Sequence, residues 1–339
     1  MSKALVYCAG GGIGDSLVAS VVARALRKRY AHVDALTLPH HKDALDRVPD
    51  IDTVLIDDGQ PDDIANLLAE RHYDAVVVTW ATARTARIVV RAQIPVRVGQ
   101  ARRLYSSAFT HQVVVRSERG DVTTPWVQIL LDYARAIHCD VDCDFPTFTP
   151  TADDHAIATQ WLMQRQLTSF IILHATNAIA TTRGIWPTQA WSALARALRD
   201  RFSVPILLSG GEPDAKFLER IAQESGALPV LVPLGAFGAI AQRSIGFCGI
   251  STGSMHIAAA VGAPTLGLFP FQSDVPDRWG PRGKFCAVVR SSYPCHGGDT
   301  KEQCPDYACI AHLDVTRILA TFRTLVDCAR VAPHVYFHK

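Results

Sequence analysis

The chain has 339 residues, 48% of them hydrophobic and 19% charged, which excludes a disordered or fibrous polypeptide and favours two domains over one. A formal net charge of +2 excludes a globally basic nucleic-acid binder, so no nucleic-acid partner is expected. Of the 34 basic residues 27 are Arg, and because Arg grips carboxylates and phosphates with two parallel hydrogen bonds, where these residues cluster matters more than their sum.

Short apolar runs alternate with amphipathic segments from the first residues onward. Ala4–Ala9 reads as a buried strand, and Asp15–Tyr30 as a helix with Leu17, Val18, Val21, Val22, Ala25 and Leu26 on one stripe. Strands are predicted at Val33–Leu38, Thr53–Asp57, Ala75–Thr79 and Val96–Gly99, with helices at Ile64–Arg71 and Thr82–Arg91 between them. Cys139–Thr151, rich in Asp, Pro and Thr and without periodicity, reads as a linker. The pattern then resumes. Strands are predicted at Phe170–Ala175, Val204–Leu208, Ile245–Ile250 and Thr265–Phe269, and helices at Thr188–Asp200, Asp214–Ser225 and Gly253–Val261. Alternation of this kind predicts an α/β protein of two Rossmann-like, doubly wound parallel-sheet domains, residues 1–145 and 152–325. Such sheets bind ligands at the carboxyl ends of their strands, so the turns after strands are where chemistry is expected.

The six-residue run Ala4–Ala9 is too short for a secretion signal, and no stretch approaches the ~18 apolar residues of a membrane span. The nine Cys are odd in number and scattered at 8, 139, 143, 248, 286, 295, 304, 309 and 328, which argues against a secreted disulfide framework. A cytoplasmic location is expected.

The first strand leads into Gly10-Gly11-Gly12-Ile13-Gly14-Asp15. A dinucleotide fingerprint starting at Gly10 needs a glycine where Asp15 stands, which argues against a nucleotide-dependent oxidoreductase. Asp15 fits two roles there, a general base aimed at a hydroxyl or a helix cap shared with Ser16. In the second half, His174-Ala175-Thr176 ends a strand and opens a polar loop carrying Arg183, which suits either a phosphate or an ordinary surface turn. Ser251-Thr252-Gly253-Ser254-Met255-His256 is a strand end, a glycine turn and a helix start, a place where free N–H groups and the helix dipole favour an anion. His256 reads equally as a buried structural histidine.

Taken in order, Gly12-Ile13-Gly14-Asp15, His174-Ala175-Thr176, Arg183 before Trp186-Pro187, Gly210-Gly211-Glu212, Ser251 to Ala260, Phe269-Pro270 and Arg278-Trp279-Gly280-Pro281 resemble glycosyltransferase family 9, the ADP-heptose heptosyltransferases of lipopolysaccharide synthesis. The resemblance runs from about residue 3 to 325. It implies a GT-B architecture of two Rossmann-like domains facing across a cleft, and inverting transfer that requires no catalytic metal. It implies Asp15 as catalytic base, with Gly12, Gly14, Thr176, Arg183, Gly211, Glu212, Ser251, Thr252, Gly253, Ser254 and His256 around an ADP-sugar donor. The implied acceptor is a lipopolysaccharide core or lipid-linked glycan, reached with peripheral contact at the cytoplasmic face of the inner membrane. The family reads Asp-Thr-Gly where this chain has Ser251-Thr252-Gly253, so an acid that meets donor-sugar hydroxyls is replaced by an uncharged hydroxyl.

Arg84, Arg87, Arg91, Arg97, Arg102 and Arg103 fall in a stretch without an acid, and the first three share a helical face. They read either as a site for anionic acceptor groups or as a solvated face. The tail segment 286–312 holds Cys286, Cys295, His296, Cys304, Cys309 and His312. Cys295, Cys304 and Cys309 supply enough soft ligands for a structural zinc or iron, although a C-x2-C knuckle is missing. A protein-modifying branch of the family carries cysteine-bound iron, so a protein acceptor is one alternative and a non-catalytic sugar-binding or scaffold member another.

Overall fold

The structure, a computed structural model, describes residues 2–176, 186–271, 275–294, 309 and 312–331. It divides into two compact units, Met1–Thr149 and Pro150–Lys339. The Cys139–Thr151 segment is therefore not a free tether. Arg24 holds the Phe145 carbonyl and the Thr147 hydroxyl, each at 2.8 Å, and the Thr149 N–H donates to Arg47 O at 2.7 Å, so most of it is bound to the first unit.

The first unit runs β1 (Lys3–Tyr7), α1 (Ile13–Arg27), β2 (His32–Thr37), α2 (Lys42–Leu45), β3 (Val54–Ile56), α3 (Pro61–Arg71), β4 (Ala75–Val78), α4 (Ala83–Arg91), β5 (Val96–Gln100), β6 (His111–Val113) and α5 (Trp126–Arg135). Its six strands lie in the order β3-β2-β1-β4-β5-β6, all parallel. Ala4, Leu5, Val6 and Tyr7 are buried on both faces, as a central parallel strand requires. Parallel crossovers are right-handed, so stepping one way from β1 puts α1 on one face, and stepping the other way from β4 puts α4 on the opposite face. The packing agrees: α1 lies with α5, and α3 with α4.

The second unit runs α6 (Ala152–Met163), β7 (Ile171–His174), α7 (Thr188–Phe202), β8 (Ile206–Ser209), α8 (Ala215–Ser225), β9 (Leu228–Val230), α9 (Leu234–Gln242), β10 (Gly246–Ile250), α10 (Gly253–Ala260), β11 (Thr265–Phe269), α11 (Pro276–Trp279), β12 (Cys286–Arg290) and α12 (Val315–Val331). The strand order is β12-β11-β10-β7-β8-β9, again all parallel, so the same arrangement occurs twice. Its core joins Ile171 and Leu173 of β7 to Trp191, Leu194 and Leu198 of α7 and to Ile318 and Phe322 of α12.

Helix α9 carries no amphipathic stripe to read, because Gly235 to Ala241 are all buried. Among the described residues, no helix is long and apolar enough to cross a membrane.

One polar network ties the carboxyl edge of the first sheet together. Arg84 on α4 holds both oxygens of Asp57, each at 2.6 Å, and also reaches the Tyr7 hydroxyl at 3.2 Å and the Gly59 carbonyl at 3.0 Å. Tyr7 donates to the same Asp57 carboxylate at 2.5 Å. Asp57 is 6% exposed while the Arg84 side chain is 38% exposed. Losing Arg84 therefore strands a buried carboxylate, whereas losing Asp57 leaves a guanidinium that still reaches water and a buried Tyr7 hydroxyl without its acceptor. Asp57→Ala is expected to lower the unfolding free energy by about 2–3 kcal/mol, less than for a fully buried pair because Arg84 is partly solvated. Urea denaturation of the two proteins measures the difference.

Candidate functional site

In each sheet the strand order reverses at one place, between β1 and β4 in the first unit and between β7 and β10 in the second. Helices depart to opposite faces there, which leaves a crevice at the carboxyl ends of the strands. Of the expected site residues that are described, Gly12, Gly14 and Asp15 follow β1, Thr176 follows β7, and Ser251 to His256 follow β10. Gly211 and Glu212 follow β8, one strand further along. Arg183 lies outside the described residues.

Asp15 is held by the glycine turn that precedes it. Its Oδ2 accepts the Gly12 N–H at 2.8 Å, so the carboxylate caps α1 and stays half-buried at the crevice mouth. The two roles open in the sequence are thus compatible. Burial raises the Asp15 pKa, against which the Gly12 N–H acts. A raised pKa makes a carboxylate a stronger base. Gly11 makes the geometry possible: its φ is +69°, and a Cβ there would lie 2.5 Å from Asp15 Oδ2. Behind the turn, Ser16 Oγ meets His41 Nδ1 at 2.8 Å, and Thr37 Oγ1 meets the same nitrogen at 3.2 Å. His41 is fully buried, and burial lowers its pKa to about 4.

In the second unit, His174 is a structural residue. Its Nδ1 pairs with Ser209 Oγ at 2.9 Å, its ring stacks on Phe247, and burial lowers its pKa to about 4. Thr176 is buried two residues on. Asp214 Oδ2 accepts the Gly211 N–H at 3.0 Å, which fixes the turn and leaves Gly211 and Glu212 exposed. Thr252 is the N-cap of α10 in extended conformation, yet its side chain makes no capping bond. Thr252 Oγ1 and His256 Nδ1 are buried atoms without a hydrogen-bond partner among the described residues. Two such orphans at one helix start suit a ligand that supplies the missing partners. Burial lowers the His256 pKa to about 4, so the ring is neutral at physiological pH.

The arginine stretch lacks acids in sequence, but the fold brings them in. Arg84 is committed to Asp57, Arg87 and Arg91 both face Asp62 at 3.5 and 2.8 Å, and Arg103 pairs with Glu118 at 2.6 Å. Arg97 is spent on the Ile94 and Ala108 carbonyls. Among the described residues, the Arg102 guanidinium has no such partner, while the acids that reach Arg84, Arg87, Arg91 and Arg103 come from outside the stretch.

Cys295 and Cys304 lie outside the described residues, while Cys309 is buried in the second core. The one ligand-rich group among the described residues is elsewhere. His32 bridges Asp34 and Asp52 at 2.9 and 3.1 Å, at the amino end of β2 and away from the carboxyl edge.

Sequence reasoning passed over Trp80, which stands 42% exposed just after β4. A recess in the first unit is lined by Gly10, Asp15, Thr79, Trp80, Trp126 and Leu130. The signal available was positional: an aromatic residue in the turn after the strand that neighbours β1.

Two all-parallel Rossmann-like units with polar turns at each reversal have the GT-B architecture. More particularly, residues 63–307 match the model of glycosyltransferase family 9 (heptosyltransferase), and the chain belongs to that family and is a glycosyltransferase. None of the curated proteins matches the sequence. Among solved structures it is similar to a family 9 glycosyltransferase from Veillonella parvula, at TM-score 0.80 and 17% identity over 96% of this chain and 97% of that one. It is also similar to E. coli ADP-heptose LPS heptosyltransferase II, at TM-score 0.77 and 17% identity over 97% and 100%. A third neighbour is E. coli heptosyltransferase WaaC with ADP, at TM-score 0.69 and 16% identity over 95% and 99%.

Two measurements check the electrostatics. His41 and His174 titrate near 4 when folded and near 6.5 when unfolded, so the unfolded chain binds more protons between those values. Stability is then expected to rise with pH across that window, by up to about 1.4 kcal/mol per pH unit per histidine, and His174→Asn should flatten part of the slope in a pH series of urea melts. Asp15 has the opposite sign: its raised pKa means the charged form is disfavoured on folding. Asp15→Asn, which keeps an oxygen for the Gly12 N–H, is expected to melt at or slightly above the wild-type temperature at pH 7, as calorimetry would read.

Proposed function

We propose that this enzyme transfers a heptose, or a closely related sugar, from an ADP-sugar to a lipopolysaccharide core acceptor with inversion at the anomeric carbon. The observation that carries this reading is the placement of Asp15 at one strand-order reversal and of the Thr252–His256 turn at the other, within a heptosyltransferase family. Two solved neighbours are heptosyltransferases, one of them with ADP, which supports the choice of nucleotide.

The chemistry follows from the groups present. The donor diphosphate sits at the start of α10, where the free N–H groups of Gly253 and Ser254, the Thr252 hydroxyl and the neutral His256 ring donate hydrogen bonds to it. Thr176, just after β7, adds a further donor, and the family resemblance implies another from Arg183. Asp15 takes the proton from the acceptor hydroxyl. The oxygen forms its bond to the anomeric carbon as the bond from that carbon to the diphosphate breaks, and ADP leaves with the electron pair. Donors fixed before the reaction stabilise that growing negative charge without reorganising, a contribution of about 3–4 kcal/mol for one well-placed group. Ser251 meets the donor sugar with a hydroxyl instead of a carboxylate, so sugar selection here rests on uncharged hydrogen bonds. On this reading the protein works at the cytoplasmic face of the inner membrane, where Arg102, which has no guanidinium partner among the described residues of the 84–103 stretch, meets an anionic acceptor group.

The test is ADP release and product mass from ADP-heptose with a set of Kdo-terminated core oligosaccharides. Asp15→Asn is expected to lower kcat by about 10²–10⁴-fold while ADP stabilises both proteins equally in a thermal melt. Selective stabilisation by another nucleotide would replace the donor. Stabilisation by ADP with no transfer to any core would favour a protein acceptor or a non-catalytic sugar-binding role.

A further inference from the structure

We propose that the Trp80 indole is the stacking platform for a pyranose ring of the acceptor, laid so that the ring's reactive hydroxyl meets the Asp15 carboxylate; this rests on the transferase reading given above.

The first support is position. Trp80 follows β4 and Asp15 follows β1, and these strands are hydrogen-bonded neighbours at the reversal of the first sheet. The two side chains line one recess together with Trp126 and Leu130 of α5.

The second support is how the indole is mounted. It lies flat on the backbone of the glycine turn, so close that a Cβ on Gly10 would fall 2.2 Å from its Cγ and 2.4 Å from the adjacent ring carbons. Only glycine at position 10 tolerates that approach. The turn behind Trp80 is pinned by the Tyr105 hydroxyl, which donates to Ala81 O at 2.7 Å, and by the Thr82 cap of α4, whose side chain accepts the Thr85 N–H at 3.1 Å. One face of the ring is thus seated on the protein, while 42% of the residue stays open to solvent.

The third support is chemical. A rigidly seated, half-open indole contributes little to a core, yet it offers a flat apolar face with few internal torsions to freeze. The axial C–H bonds of a pyranose are the apolar surface of a sugar, and they fit such a face. The hydroxyls then point sideways, toward the carboxylate. The same turn accounts for the failed dinucleotide fingerprint: Gly10 and Gly11 make room for an indole and an acid, not for a pyrophosphate.

The experiment uses the full chain labelled with 5-fluorotryptophan. The Trp80 fluorine resonance is assigned by its loss in Trp80→Phe. Kdo-terminated core oligosaccharide is then titrated in without donor, and steady-state transfer from ADP-heptose is measured in parallel. The Trp80 resonance is expected to shift with saturation, and Trp80→Ala to raise the acceptor KM about tenfold, with the ADP-heptose KM and the melting temperature unchanged. Trp80→Phe should keep most of the affinity, and Gly10→Ala, which displaces the ring, should reproduce the defect of Trp80→Ala. Wild-type transfer with no Trp80 shift, or with an acceptor KM untouched by Trp80→Ala, overturns the platform and leaves the transferase reading standing. No transfer by the wild type to any oligosaccharide of the set overturns the reading and the platform together.

Discussion

The polarity of the two sheets is the constraint from which the rest follows. Every strand in each unit runs the same way, so every strand-to-helix turn comes out at one edge. Backbone N–H groups at helix starts accumulate along that edge and give it a bias toward anions and polar ligands. The reversal of strand order then selects one point of the edge in each unit, because only there do helices diverge to opposite faces. Asp15 and Trp80 meet at one such point, Thr176 and the Thr252–His256 turn at the other.

Charge along this edge is divided between holding the fold and meeting ligands. The Asp57 carboxylate takes two bonds from Arg84 and one from Tyr7, and three separate chain segments are locked by it. That arrangement is poor at binding another anion, since both terminal guanidinium nitrogens are already engaged by Asp57. Asp15 is the reverse case. It keeps one backbone partner and a burial penalty, so its charged form costs the folded state stability. The buried histidines belong with Asp57: His41 and His174 are neutral, doubly framed by neighbours, and brace the turns that follow β1 and β7.

The orphaned Thr252 and His256 atoms and the half-open Trp80 express the same physics in two ways. A buried polar atom without a partner and a large apolar face in water are both unfavourable in the free protein. Both are relieved by a ligand of matching chemistry, oxygen-rich in the first case and C–H-rich in the second. A nucleotide-sugar and a pyranose acceptor between them offer both.

The sequence by itself determined the class of fold and the places to look. Apolar runs of strand length alternating with amphipathic stretches such as Leu17 to Leu26 are local signals, because a parallel strand must be buried on both faces and its covering helix on one. The glycine turn ahead of Asp15 and the turn at Gly253 are likewise local, since they answer to backbone needs at adjacent positions. Helix α9 escaped that reading because burial on all sides leaves no periodicity. What only the tertiary structure decided was which residues meet. The arginines from 84 to 103 look unopposed in the chain, yet Asp57, Asp62 and Glu118 reach them from other loops. Trp80 looks like one aromatic among several, and becomes notable only when β4 is placed beside β1 and the indole comes to rest on Gly10. Pairings of that kind span tens of residues. They are set by strand order, and no local pattern of residues encodes it.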